Sequence, residues 1–187
     1  MNQTQNFSLQ FLEPCFKNWF LPPEDPLGEL SHLEMGLKRL CFENNYKILL
    51  EIGCEEQELF LDPDIILVLD ELPEKVSLLL SGKNIELEFP ESSMVIYLQP
   101  IDFWQIKCIW KKYGYSLEQK TFLLDNQQVL NKLLDFLARL INMAVNKGYI
   151  SFEEGSEFII PISRSYSVKT PPSRHIQRPP LKEGWGN

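Results

Sequence analysis

Apolar and polar residues alternate near the start of the chain, with Phe7, Leu9 and Phe11 set against Ser8 and Gln10. A period of two puts the apolar set on one face, so the pattern predicts a short half-buried strand, which Pro14 ends. Cys15, Phe16, Trp19 and Phe20 then form an apolar knot that needs covering. After Pro22-Pro23 the period changes to that of a helix, and Leu30, Leu33, Leu37 and Leu40 fall on one stripe. Asp25 as cap and Pro26 at the first helical position mark its start, and Asn44-Asn45 mark its end.

From Tyr46 to Trp110 short apolar runs are separated by turn residues. The pattern predicts strands near 46–52, 57–61, 64–70, 74–80, 84–89, 93–98 and 103–110, broken at Pro63, Leu72-Pro73, Ser81-Gly82 and Glu91-Ser92. Connections this short leave no room for crossover helices, so consecutive strands should pair antiparallel as a meander. Ile85, Leu87 and Phe89 alternate with Glu86 and Glu88, which gives one dry and one carboxylate-bearing face. Ile65 to Leu69 is apolar throughout and reads as a central strand covered on both sides.

A second helix is written more plainly. Asp125 and Gln128 have the spacing of a capping box, and Leu130, Leu134, Leu137, Ile141 and Ala144, with Leu133 and Leu140, draw a broad stripe. Lys147 and Gly148 close it, so a helix near 126–147 should lie across the apolar face of the sheet. Tyr149 to Phe152 and Phe158 to Ile162 then read as a strand pair. The expected fold is α+β: an antiparallel meander, open or barrel-like, with an N-terminal helix and a long C-terminal helix packed on it. Residues 1–162 form one domain and 163–187 a Pro-rich, basic, extended tail.

Charge adds to this picture. The chain carries a formal net charge of −8, unevenly spread. Residues 43–102 hold three Lys or Arg against fourteen Asp or Glu, net −11, while 103–150 hold seven against three, net +4. Such asymmetry bears on association rather than on fold. Cys15, Cys41, Cys54 and Cys108 are widely spaced, and only His32 and His175 could join them, so neither a zinc site nor a cofactor is implied. The chain's start lacks the basic and apolar stretches of a secretory signal, and Leu130 to Val145 contains Lys132, Asp135 and Arg139, which a lipid-facing helix would not carry. The expectation is a cytoplasmic protein with free thiols and no membrane span.

No GxSxG, HExxH, GxGxxG or P-loop occurs, and His32 and His175 have no catalytic partner at a recognisable spacing. The acidic run containing Glu55, Glu56, Glu58, Asp62 and Asp64 lacks the spacing of a calcium loop. It reads either as solvated edges or as a docking face for a basic partner. In the tail, Arg174, Arg178, Pro179 and Pro180 combine polyproline stiffness with cations, and Trp185 offers an interface anchor. That tail suits a protein partner, or self-association. Trp104, Trp110, Tyr113 and Tyr115 interleave with Lys107, Lys111, Lys112 and Lys120, as single-stranded nucleic acid would require. Strand parity opposes it, because Trp104, Ile106, Cys108 and Trp110 share one face and Lys107 and Lys111 the other. The reading is a non-enzymatic protein-binding module such as an adaptor, inhibitor or dedicated chaperone, ahead of a nucleic-acid binder using 103–120 and of a small enzyme with an acidic site.

Overall fold

The computed structural model describes residues 5–14, 28 and 30–166. Asp25 and Pro26, the apolar knot at 15–20, and the segment 167–187 with Arg174, Arg178, Pro179, Pro180 and Trp185 lie outside the described residues.

Seven strands and five helices are described, in an α+β arrangement. Strands β1 (Phe7–Pro14), β2 (Tyr46–Ile52) and β3 (Glu55–Phe60) form one antiparallel sheet in the order β1-β2-β3. Strands β4 (Ile85–Phe89), β5 (Met94–Pro100), β6 (Gln105–Lys112) and β7 (Glu118–Asp125) form a second, in chain order. Consecutive strands within each sheet pair antiparallel, as short connections require. The meander is split in two, however, and the sheets do not close into a barrel. A single parallel bridge between Gln5 and Leu124 links the start of β1 to β7.

The split falls where two strands were expected. Residues 64–70 and 74–80 are helical: a π-type turn at Leu61–Ile65 runs into α2 (Ile66–Leu69), and α3 (Leu72–Leu80) follows at once. Leu72, Val76, Leu79 and Leu80 are all buried, a helical spacing, and Pro73 occupies the first turn, where its missing N–H costs nothing. A short apolar run such as Ile65 to Leu69 satisfies a buried helix as well as a buried strand.

The helix α1 (His32–Glu43) begins at a capping box: Ser31 Oγ accepts the Glu34 amide at 3.2 Å and the Glu34 carboxylate accepts the Ser31 amide at 2.6 Å. The helix α4 (Asn126–Asn146) starts where the pattern placed it, with Asp125 accepting the Gln128 amide at 2.8 Å. It buries Val129, Leu130, Leu133, Phe136, Leu137, Leu140, Ile141 and Ala144, and Phe136 stacks on Phe11 of β1 at 4.9 Å. Residues 152–166 form α5 (Phe152–Tyr166) rather than a strand pair. Ser151 and Glu154 make a second capping box, with the Ser151 amide on Glu154 Oε2 at 2.8 Å and the Glu154 amide on Ser151 Oγ at 3.1 Å. Gly155 lets α5 approach α4 closely, since a Cβ there would lie 2.8 Å from Ile141 Cγ2. Strand β7 had no counterpart in the pattern, because its first four residues are all exposed and pairing with β6 sets them extended.

The inner faces of both sheets, α2, α3 and α4 share one core. The void where they meet measures about 20 Å³ and is lined by apolar side chains, among them Phe7, Leu50, Leu87, Ile96 and Phe136. No described helix is long and apolar enough to cross a membrane.

Candidate functional site

Register divides the acidic run into groups with different tasks. In the β2–β3 pair Ile52 lies opposite Glu55, Glu51 opposite Glu56, Leu50 opposite Gln57 and Leu49 opposite Glu58. Since Ile48, Leu50 and Ile52 are buried, Glu55 and Gln57 share the core side of the sheet and Glu56 and Glu58 share its outer side with Glu51. Glu55 turns to β7, where its carboxylate pairs with Lys120 Nζ at 2.7 Å. That contact holds the Glu55 carboxyl below the usual carboxylate range and raises the Lys120 ammonium. Gln57 likewise accepts from Lys112 Nζ of β6 at 2.8 Å. These two pairs tie β3 to the second sheet at the rim of the core.

Asp64 is 1 % exposed. Its Oδ2 accepts the Phe60 amide at 3.0 Å and its Oδ1 the Ser92 amide at 3.1 Å, so it joins the end of β3 to the β4–β5 turn. Asp62 lies in a groove of about 290 Å³ between α1 and α2, lined also by Lys38, Phe42, Ile66, Leu67 and Asp70. Burial raises the Asp62 carboxyl, and burial together with the Glu34 charge raises that of Asp70.

The outer face of the three-stranded sheet keeps its charge at the surface. Glu51 accepts from the Ser8 hydroxyl at 2.5 Å, and Glu58 from Lys47 Nζ at 2.7 Å. Glu56 has no hydrogen-bond or ion-pair partner among the described residues. It sits directly across from Glu51, an arrangement of like charges that destabilises a pair of strands.

The aromatic and lysine segment behaves as parity predicts along β6. Ile106, Cys108 and Trp110 are buried, and Trp110 Nε1 donates to Met94 Sδ at 2.9 Å. Lys111 lies over the Tyr97 ring at 4.7 Å and Lys120 over the Trp110 ring at 5.4 Å. Trp104 departs from the pattern, being 43 % exposed, because β6 starts one residue later and the indole belongs to the β5–β6 turn. With Ile101 at 58 % and Phe103 at 40 % it forms an apolar tip. Asp102 Oδ1 accepts the amides of Trp104 and Gln105 at 2.7 and 2.8 Å, and the Asn126 side chain donates to the Phe103 carbonyl at 3.0 Å. No periodicity marks these residues, since what exposes them is the place where the strand ends.

For nucleophilic or acid–base chemistry the described residues offer little. Burial pushes the Cys41 thiol far up and the Cys108 thiol to about 12, so neither ionises near neutrality. His32 Nδ1 lies 2.7 Å from Glu154 at the exposed starts of α1 and α5, a helix-to-helix contact. No three His, Cys, Asp or Glu side chains among the described residues gather as a metal site. The chain matches no protein-family model, no curated protein and no solved structure.

Proposed function

We propose that the chain is a non-enzymatic protein-binding module whose acidic outer sheet face receives a cationic surface of another protein. The observation that carries this reading is the Glu51–Glu56 pair, two carboxylates held opposite each other on a solvent-facing ladder with Glu58 beside them. The fold bears that repulsion although the outer face has no core to defend. A cation arriving there relieves it and gains encounter rate from the surrounding negative field. Protein is favoured over a nucleic-acid strand because Lys111, Lys112 and Lys120 are engaged with Tyr97, Gln57 and Glu55, and Trp110 is buried. The apolar tip at Ile101, Phe103 and Trp104 has the composition of an interface anchor and supplies a second contact. In this reading Arg174, Arg178, Pro179, Pro180 and Trp185 form a third, through polyproline chemistry.

A zero-length carbodiimide cross-link, which joins carboxylates to amines, tests the proposal in extract of the native cell. Mass spectrometry should find partner lysines joined to Glu51, Glu56 or Glu58, with the same partner lost from the folded Glu56→Lys, Glu58→Lys double variant. A set of links that the double variant leaves unchanged refutes it.

A further inference from the structure

We infer that the free edge of β3 is a strand-addition site for an extended partner segment carrying Lys or Arg at every second position. The inference rests on the acidic-face reading and specifies the backbone form of the partner.

The backbone of β3 shows which groups are on offer. β3 is the last strand of its sheet, and no described strand pairs with its outer edge. Its hairpin with β2 turns through Gly53 and Cys54, so the flanking pair Ile52 and Glu55 bond each other, and pairing toward β2 then recurs at Gln57 and Leu59. Glu56, Glu58 and Phe60 therefore turn their N–H and C=O groups outward. Two hydrogen bonds agree with this assignment. The Phe60 amide donates to the Asp64 carboxylate, and the Glu58 carbonyl accepts from Gln57 Nε2 at 2.8 Å, neither being a ladder bond. Phe60 is thus stoppered, while the amides of Glu56 and Glu58 remain on the edge.

Charge selects the occupant. Against a second copy of β3 the strand would set Glu56 and Glu58 opposite carboxylates of the same kind, which is how edges are kept from pairing with themselves. The chain's own segment beyond 166 carries Pro171, Pro172, Pro179 and Pro180, which have no N–H to give a ladder. An incoming strand with cations on the outer face meets Glu56, Glu58, whose carboxylate already holds Lys47, and, one strand further, Glu51, so three carboxylates there face one lysine. Its alternate residues turn toward the core side, where Lys112 and Lys120 already stand. Cations are therefore favoured at one parity and repelled at the other, so alternation is specified and not merely positive charge.

The test uses the full chain and a labelled, end-blocked peptide of alternating lysine and threonine, read by fluorescence anisotropy. Two controls share its composition: one with the lysines in a single block, and one N-methylated at every second amide on the pairing edge. The alternating peptide is expected to bind about tenfold or more tighter than either control. Its binding should fall by a similar factor in Glu56→Gln and in Glu56→Pro, the latter removing the outward N–H at a position an edge strand tolerates. Amide hydrogen exchange at Glu56 and Glu58 should slow on binding. Equal affinity for all three peptides, with loss in Glu56→Gln, overturns strand addition and leaves the acidic-face reading standing. Binding that ignores both Glu56 variants, or no binding at all, overturns both.

Discussion

Asp64 would be read from the sequence as one more member of an acidic stretch, yet it is the carboxylate with the most to hold. It is buried and takes two backbone amides, from Phe60 four residues before it and from Ser92 28 residues after it. Removing it strands both amides away from water. Asp64→Ala is therefore expected to lower stability by about 2–4 kcal/mol, measured as a drop in the urea midpoint at unchanged slope. Asp62, two residues away, has the opposite character. Burial raises its carboxyl in the folded state, so the fold binds the proton more tightly than the unfolded chain does. Stability from this group is then largest at low pH and is lost as pH climbs through the raised value. Asp62→Asn should accordingly raise the midpoint at pH 7, and that advantage should shrink as pH is taken below the usual carboxylate range. A midpoint that falls at pH 7 would contradict the assignment. Nothing in the spacing of Asp62 and Asp64 announces this difference, because it depends on which neighbours the turn after β3 brings to each oxygen.

At the scale of elements, local signals were clearest where water on one face sets the period over the whole element. α4 and the alternation in β4 were legible because one face meets water and the other does not. α2 was misread because Ile65 to Leu69 offers no polar face to set the period, and α3 because Leu72-Pro73 reads as a break between strands, although Pro73 was a fair sign of a helix start. The Ser151 and Glu154 capping box ahead of α5 was present in the sequence, but the apolar runs Tyr149 to Phe152 and Phe158 to Ile162 on either side of it read as a strand pair. Gly36 in α1 reveals a similar contact: a Cβ there would meet the Tyr149 carbonyl oxygen and come within 2.5 Å of Ile150 Cγ2. Gly36→Ala is expected to cost about 1–3 kcal/mol despite the better helix propensity of alanine. Gly114→Ala, whose nearest neighbour is the Ser116 carbonyl oxygen at 3.9 Å, should stay within about 0.5 kcal/mol. Thermal or urea unfolding of the two variants side by side checks the contrast. If Gly36→Ala proved neutral, the close approach of α1 to the turn before α5 would be in error.

For the whole molecule, both sheets and the helices between and after them bury their apolar residues in a single cluster. Leu50 of the first sheet, Ile96 of the second and Phe136 of α4 line one small void together. With Asp64 and the Glu55–Lys120 and Gln57–Lys112 contacts fastening the sheets, neither is expected to melt before the other. Unfolding followed by near-ultraviolet and far-ultraviolet circular dichroism should give coincident transitions. Two separated transitions would mean that the sheets are independent units.

The candidate surface follows the same division. That the middle of the chain is acidic could be counted from the sequence, as could the carboxylate-bearing face of β4. That Glu55 faces inward to Lys120, that Asp64 is buried, and that Glu56 and Glu58 line an open edge could not. By itself the sequence determined the α+β class, the antiparallel pairing of neighbours, the long helix at 126–147 to within a residue, and the uneven charge, because each depends on residues near one another along the chain. Tertiary structure alone decided how the strands divide into two sheets, which apolar runs coil into helices, and which carboxylates hold the fold or face solvent. Those choices turn on contacts between distant segments, and a dry run or a charged residue is indifferent among them until the neighbours that bury or pair it have arrived.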